Sequence, residues 1–586
     1  MSKLKFVKEY GATGNAADNS KYDANANVTQ VNITTLAYEM HKLDNIRINR
    51  QLLVEKITET FGEETAQKYS EDLESHLLYC HDESSLFPYC VSISLYPFLV
   101  EGLKPLGGES GPPKHLWSFA GSFINLMFAV SAQFAGAVAS VEFLNVFDHF
   151  ARKDFGEDYL KTKSREVNNY LQQIMYNLNQ PAAVRNWQSI FFNFSILDEN
   201  YFHSLFEGFY FPDGDKPNWE SVKKLQVYFM KWLNKERESA LLTFPVVTAA
   251  MLTKGGKPVD VEFEEFCAEE LSQGNSFFIY QSDSVDSLSS CCRLRNEIEK
   301  EAFSYSLGAG GIMTGSINVM TLNMNRLIQK GYVLQEVLDR FYKYQVSYRK
   351  LMEDFQKRKL LTIYDAGYIN MNKQFLTLGI NGMVEAAESL GIKPNNNSEY
   401  KEFVCSILKQ IYDSNREATK KFGYKFNTEF VPAENLGIKN AKWDKKEGLK
   451  VERDCYNSYF YPVEDEEISI LDKFTLHGRE LNQYLDGGSA LHLNLEDYPD
   501  KEQYKKLIRL AALEGCNYFC TNIPTTFCED CGYIGKKPLD HCVQCESKNI
   551  SHCTRIIGYL KKVRNFSKGR QEEHEKRFYQ LLIDKL

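Results

Sequence analysis

The chain has 586 residues, 43% hydrophobic and 25% charged, with a formal net charge of −9 and a pI near 5.8. That length and composition suit a large buried core, built as one big barrel with additions or as several domains. The acidic balance speaks against a dedicated nucleic-acid binder, which would carry a basic domain, and leaves room for local basic grooves around small phosphorylated ligands.

The first residues, MSKLKFVKEYGATG, contain no apolar h-region, so no secretory signal is expected and the compartment is read as a reducing cytoplasm. Residues 1–48 read as an N-terminal arm, Asn- and Ala-rich at first. Residues 49–80 carry apolar side chains at helical spacing. From there to about residue 520, short apolar runs alternate with longer helical patterns. PYCVSISLYPFLV, SIFFNFSIL, FPVVTAAML, SFFIYQ, SINVMTLNM and SALHLNLE read as buried strands. VNNYLQQIMYNLN, SVKKLQVYFMKWLNKERESA and TLGINGMVEAAESLG read as helices. This alternation predicts an α/β barrel or a large mixed sheet over 49–520. The uncharged stretch 116–141 is long enough to span a bilayer, but Asn125, Gln133 and its serines point instead to a packed helix pair or helix–strand unit beside a site. The tail changes character. Residues 521–550 are Cys-rich, and 551–586 are strand-like around Gly558 and then helical.

There are 14 cysteines, and half of them fall between Cys516 and Cys553. In a reducing compartment such a cluster implies metal or redox chemistry rather than disulfides. CEDC (Cys528, Cys531) and CVQC (Cys542, Cys545) form two knuckles, each supplying two thiolates from one tight turn, as a closed tetrahedral zinc site requires. An iron–sulfur cluster is the other four-cysteine option. The surrounding residues are not markedly basic, so the ribbon reads as a clamp for the strand that follows it.

That strand, TRIIGYLKKVRNF, contains Gly558. A bulge or a close backbone approach would account for the glycine. So would a need for its Cα–H, because a Cα radical without a side chain can be planar and delocalise over both flanking amides. SSCCRLRNE holds adjacent Cys291 and Cys292, which packing alone rarely needs, although a free cysteine also serves as a small hydrophobe. Cys90, in PYCVSISLYPF, is either an ordinary core residue or a redox group.

Taken in order, these pieces resemble the anaerobic (class III) ribonucleoside-triphosphate reductases, a glycyl radical enzyme family. The resemblance rests on NANV (25–28), HDE…PYC (81–90), WQSIFFNFSILD (187–198), CCRL (291–294), GINGMVEAAE (379–388), FNTEFVPAE (426–434), GGSALHLNL (487–494), the two CxxC pairs and RIIGYL…KGRQEE, and it covers nearly the whole chain. It implies a ten-stranded α/β barrel with an internal finger loop, a zinc ribbon (521–550), and a glycyl radical loop with a C-terminal helix (551–586). Matched positions are Gly558 for the stored radical, Cys292 (which directly precedes an arginine) for the thiyl radical and Cys90 for the opposing hydrogen donor. Substrate contacts are expected near Gln188, Ser189 and Asn193, and phosphate contacts at a Gly-rich turn such as GAGGIMTGS (308–316). The family further implies ribonucleoside triphosphate substrates, dNTP and ATP effectors, a homodimer, and an activase that installs the radical with S-adenosylmethionine and a 4Fe-4S cluster.

Two departures bear on these expectations. The arm before NANV is shorter than the ATP-cone of many relatives, so on/off control at a cone is not expected. Formate-using relatives carry a methionine shortly before the radical glycine, whereas SKNISHCTRIIG has none and offers Cys553. Formate is the expected reductant, with a redoxin acting on a Cys90 disulfide as its rival. A glycyl radical enzyme for a non-nucleotide substrate and a zinc-ribbon interaction scaffold are the alternative readings. The motif series weighs against the first, and the acidic balance with the placed cysteines against the second.

Overall fold

A parallel strand covered on both faces must be apolar almost throughout. Phe192–Leu197 is such a strand, buried at every position. Its phenylalanines meet an outer layer of helices: Phe143 lies 5.6 Å from Phe192 and 5.4 Å from Phe194, ring to ring, and Phe123 lies 5.0 Å from Phe143. These rings belong to α1 (Leu116–Ser131) and α2 (Phe143–Phe155). The alternate positions, Asn193 and Ser195, face the other way, toward the interior of the sheet.

The computed structural model describes residues 3–582 apart from 21, 23–24, 182–185, 286, 290–294, 298–312, 431–434 and 557. Ten strands follow one hydrogen-bonded path: β1 (Cys90–Ser92), β2 (Val138–Ala139), β3 (Phe192–Leu197), β4 (Val246–Lys254), β5 (Phe278–Ser282), β6 (Thr314–Asn323), β7 (Gln374–Asn381), β8 (Lys425–Phe430), β9 (Leu491–Asn494) and β10 (Tyr518–Asn522). Their spatial order is β8-β7-β6-β1-β2-β3-β4-β5-β10-β9. Strands β1 to β5 run parallel to one another, as do β6 to β8 and β9 with β10, while the β6/β1 and β5/β10 joints are antiparallel. A parallel bridge from Glu429 to Gly488 closes the ring, with the Gly487 amide donating to the Thr428 carbonyl at 2.9 Å. A Cβ on Gly487 would stand 2.7 Å from that carbonyl oxygen, so the seam requires glycine. The result is the ten-stranded α/β barrel, made of two five-stranded parallel halves set antiparallel to each other.

Beyond the barrel, β11 (Thr525–Cys528), β12 (Ile534–Gly535), β13 (Ile550–Thr554) and β14 (Lys561–Lys562) form a separate small sheet in the order β12-β11-β13-β14. The uncharged stretch 116–141 is a helix–strand unit, α1 followed by β2, and no helix among the described residues is long and apolar enough to cross a membrane.

Several local expectations are corrected. TLGIN, read as the start of a helix, is the end of strand β7, and the helix begins only at Met383. An apolar run of that length fits either period, and the flanking parallel strands decide it. In PYCVSISLYPFLV only Cys90–Ser92 is strand, and Tyr96–Glu101 is helix with proline in its first turn. Gly558 lies not in a strand but in a bend between β13 and β14. The C-terminal helix α3 (Lys568–Lys576) ends well before the chain does, and Gln580 then bridges in parallel to Leu495. One helix, Ile33–Phe61, runs without a break through residue 48.

Candidate active site

Cys90 sits at the start of β1, buried, against Ala137, Tyr89 and Phe191. A Cβ on Gly136 would stand 2.6 Å from its sulfur, so the thiol lies flat on bare backbone. Its carbonyl accepts from Gln374 Nε2 at 3.2 Å, and Tyr364 fixes that amide by donating to Gln374 Oε1 at 2.6 Å. Beside Cys90, Ser316 is its register partner on β6, and the Ser316 and Thr377 hydroxyls meet at 2.8 Å. Thr377 in turn pairs in register with Asn427. Cys90, Ser316, Thr377 and Asn427 therefore make a polar row across four strands.

The bend bearing Gly558 is buried and pinned from two sides. Asn522, the last residue of β10, accepts from Thr554 Oγ1 (2.6 Å) and the Arg555 amide (2.9 Å), and its Nδ2 donates to the Arg555 carbonyl (2.9 Å) and to Asn494 Oδ1 (2.9 Å). Arg577 donates to the carbonyls of Arg555 and Ile556, each at 3.0 Å. Its charge is met by Glu573 at 2.6 and 3.2 Å, and Glu573 also takes Arg570 at 3.2 Å. A buried ion cluster of this kind is costly to break from one side, by about 3–5 kcal/mol. The neighbouring His574, 3.1 Å from the Tyr579 hydroxyl, is pulled by burial from 6.5 to about 4. Its depressed pKa means that the unfolded chain takes up the proton first as pH falls below 6.5, so this contribution to stability is full above 6.5 and lost toward pH 4. Melting curves should show wild type losing about 2–3 kcal/mol more than His574→Gln between neutral pH and 4.5.

Tyr559, next to Gly558, places its ring 5.1 Å from Phe191 and 5.8 Å from Phe244. Phe191 thus touches both the Cys90 cluster and the residue adjoining Gly558. The Tyr559 hydroxyl donates to Asn25 Oδ1 at 3.4 Å, and Asn25 Nδ2 donates to Gln188 Oε1 at 3.0 Å. Gln188 also bridges Val28, so the NANV segment is laid against the WQS segment beside the Gly558 bend. Ser189 is turned to structure: its hydroxyl donates to the Asn179 carbonyl at 2.6 Å, and its own carbonyl accepts from Asn27 at 2.9 Å. Asn193 is buried on β3 and donates to the Phe191 carbonyl at 3.2 Å. Cys291 and Cys292 lie outside the described residues. Around them, Ser287–Ser289 and Arg295–Glu297 pair antiparallel directly after β5. Residues 308–312 of the Gly-rich segment are also outside, and Thr314–Ser316 already belong to β6.

Of the buried polar side chains that have no hydrogen-bond partner among the described residues, two that the sequence reading did not single out lie beside these groups: the Ser92 hydroxyl on the strand of Cys90, and both amide atoms of Asn427 in the polar row. Native interiors leave few such groups without a reason. The signal for Asn427 was present in FNTEF, a strand too polar to be structural alone.

The sequence model of the family described as anaerobic ribonucleoside-triphosphate reductase matches residues 39–579. The chain belongs to that family. It is an oxidoreductase of ribonucleotides, in a family of glycyl radical enzymes. A solved anaerobic ribonucleotide reductase is similar with a TM-score of 0.85 at 27% identity, over 94% of this chain and 90% of that one. The Thermotoga maritima anaerobic ribonucleotide reductase in complex with dATP and CTP gives 0.83 at 28% identity over 92% of each chain. The same enzyme with dATP in its specificity site gives 0.83 at 26%, over 96% and 94%. A glycyl radical enzyme from Archaeoglobus fulgidus shares the fold alone, at 0.57 and 11% identity. No curated protein matches the chain.

In this reductase the ribbon sheet carries four convergent thiols. The sulfurs of Cys528, Cys531, Cys542 and Cys545 all lie within 4.8 Å of one another, with Cys528–Cys545 at 3.6 Å and Cys531–Cys542 at 3.5 Å. A zinc–sulfur bond of ~2.3 Å gives a tetrahedron edge of ~3.8 Å, so the donor set fits zinc. Gly532, at φ +78°, turns the chain behind the first knuckle. Cys553 stands apart, buried in β13, where burial pushes its thiol up to about 12.

Asn522 is the residue to remove if the bend is to be loosened without touching Gly558. Asn522→Ala deletes four hydrogen bonds in a buried place and should cost about 2–4 kcal/mol locally. Faster amide exchange at residues 554–560, with the barrel unchanged, is the expected reading.

Proposed function

We propose that Gly558 stores the radical, that Cys292 carries it to the substrate as a thiyl, and that Cys90 is the hydrogen donor facing it. The observation that carries this reading is the contact of Phe191 with both the Cys90 cluster and Tyr559, which sets a buried Gly558 bend beside a buried thiol on the barrel wall. Gly558 takes the hydrogen atom of the Cys292 thiol, and the thiyl takes the 3′ hydrogen of the ribose. The 2′ hydroxyl takes up a proton and leaves as water, and Cys90 gives a hydrogen atom to C2′ and is left as a thiyl. Formate returns a hydrogen atom to Cys90 and then an electron, with a proton, to the 3′ ketone, and the 3′ hydrogen comes back from Cys292, restoring its thiyl. The S–H and sugar C–H bonds are close in strength, so the transfers are reversible, and the barrel supplies placement and exclusion of water. Substrates are ribonucleoside triphosphates, held near Gln188 and Asn193, with Ser92 and Asn427 added as contacts because their polar atoms lack partners. Ser189 supports the wall instead.

The two electrons come from formate, oxidised to carbon dioxide. The buried, proton-holding Cys553 supports this over a redoxin, since a redoxin target should be accessible and easily ionised. Activation belongs to a partner enzyme using S-adenosylmethionine and a 4Fe-4S cluster. The chain works as a cytoplasmic homodimer with dNTP effectors, by analogy with the dATP-bound relatives, and residues 528, 531, 542 and 545 hold structural zinc. The test is anaerobic activation, electron paramagnetic resonance, and CTP reduction with formate or with a redoxin. A radical doublet with formate-dependent dCTP supports the reading. A doublet without any deoxynucleotide product would sink the substrate assignment, and redoxin-dependent product would replace formate.

A further inference from the structure

Where the ribbon, the 274–276 turn and the Gly558 bend meet, a cleft is lined by Arg237, Ser276, Asn522, Thr525, Lys536 and Arg555. Arg555 is 3% exposed. Its Nη1 donates to Ser276 Oγ, its guanidinium lies over the Phe278 ring at 5.2 Å, and its Nε has no partner among the described residues. Arg237, half-buried, donates one hydrogen from each of Nε, Nη1 and Nη2 to the carbonyls of Leu242, Ser276 and Pro245, at 3.3, 3.0 and 3.3 Å, which leaves a second hydrogen on each Nη. Among the described residues neither guanidinium has a carboxylate within 4.0 Å, and Lys536, the third cation, is paired with Glu238 at 2.8 Å. Burial, and then the charge of Arg555, both disfavour the charged form of Arg237. A guanidinium does not give up its proton inside a protein, so the two charges persist side by side. Carbonyl dipoles satisfy hydrogen bonds without cancelling charge, and buried charges are normally paired.

We propose that this cleft is an oxyanion site, in which a small monocarboxylate or a phosphate bridges Arg237 and Arg555. The planar forks of two arginines suit the paired oxygens of such an ion, and Thr525 adds a neutral polar group to the lining. Bound there, the ion ties the segment three residues ahead of Gly558 to the barrel wall through the 274–276 turn. Binding itself is independent of whether Gly558 stores a radical, so the site can stand or fall without the mechanism.

The test uses the full-length, zinc-loaded protein, titrated with sodium formate or inorganic phosphate at constant ionic strength against a chloride control. Hydrogen exchange of peptides covering 274–276 and 550–560 is the readout, with calorimetry for affinity. Saturable protection of both peptides is expected, weakened about tenfold or more in Arg237→Gln and less in Arg237→Lys. Tighter formate assigns the monocarboxylate source, and tighter phosphate the tetrahedral one. Protection no greater than in chloride with either ion, or Arg237→Gln binding like wild type, overturns the proposal. If Arg237→Gln fails to fold, the wild-type titration and Arg237→Lys still decide it.

Discussion

Gly558→Ala should fold, bind zinc and melt like wild type, yet give no radical doublet after activation and no nucleotide reduction above the unactivated background. The argument is steric and electronic. An unpaired electron on Cα is stabilised when that carbon is planar with both flanking amides. A methyl group on the planar centre crowds the neighbouring carbonyl oxygens, the same contacts that exclude most of φ/ψ space for residues other than glycine. In this chain the bend has no room to relax. Asn522 and Arg577 hold the backbone on its N-terminal side, and the Tyr559 ring is wedged against Phe191 and Phe244 on the other. A glycine-to-alanine change in a compatible backbone alters stability by about 0.4–1 kcal/mol, whereas the chemical effect is all or none. Circular dichroism and metal content establish the fold, and resonance spectra with a CTP assay read the chemistry. Wild-type turnover by the alanine variant would move the radical to another residue.

Much of this architecture could be read from the chain because its strands are covered twice. SIFFNFSIL and FPVVTAAML are apolar runs for the reason that helices pack outside them and the barrel interior lies within. Four barrel strands were not read as strands: Val138–Ala139 has only two residues, Lys425–Phe430 is mostly polar, Gln374–Asn381 runs almost directly into a helix, and Tyr518–Asn522 adjoins the Cys-rich tail. The double CxxC pattern was legible since a four-cysteine metal site fixes its ligand spacing locally. Asn522 and Arg577 were not, since both act on a bend far away in sequence and only the closed barrel brings them to it. Arg577 also explains why the C-terminal helix stops where it does. Its side chain is 1% exposed and committed to two carbonyls and Glu573, so the chain beyond Lys576 runs extended against Leu495.

Loss of the metal should have the second largest consequence. Cys542→Ser, or exhaustive chelation, is expected to release zinc, leave the barrel folded, and cut the yield of radical severely. The ribbon is too small to hold itself. Its strands are two to five residues long, and its buried side chains are mostly Cys528, Cys542, Cys553, Thr526 and Ile534. A module with so little apolar area needs a covalent or metal staple, and structural zinc supplies on the order of 10 kcal/mol to such folds. The pairs that Glu529 makes with Lys562 and with the exposed Arg564, each at 2.9 Å, add little by comparison. Without the metal, β11 and β13 lose their sheet, and the Gly558 bend keeps only its barrel-side contacts, chiefly Asn522, Arg577 and the packing of Tyr559. Local opening then exposes Gly558 to water and oxygen while the ten-stranded ring, with its own core, stays closed. Hydrogen exchange should rise sharply across 525–562 and stay flat in Phe192–Leu197 and Val246–Lys254. Zinc-free protein that still accumulates a wild-type radical signal would mean that the barrel alone holds the bend, and that the four cysteines serve some other purpose.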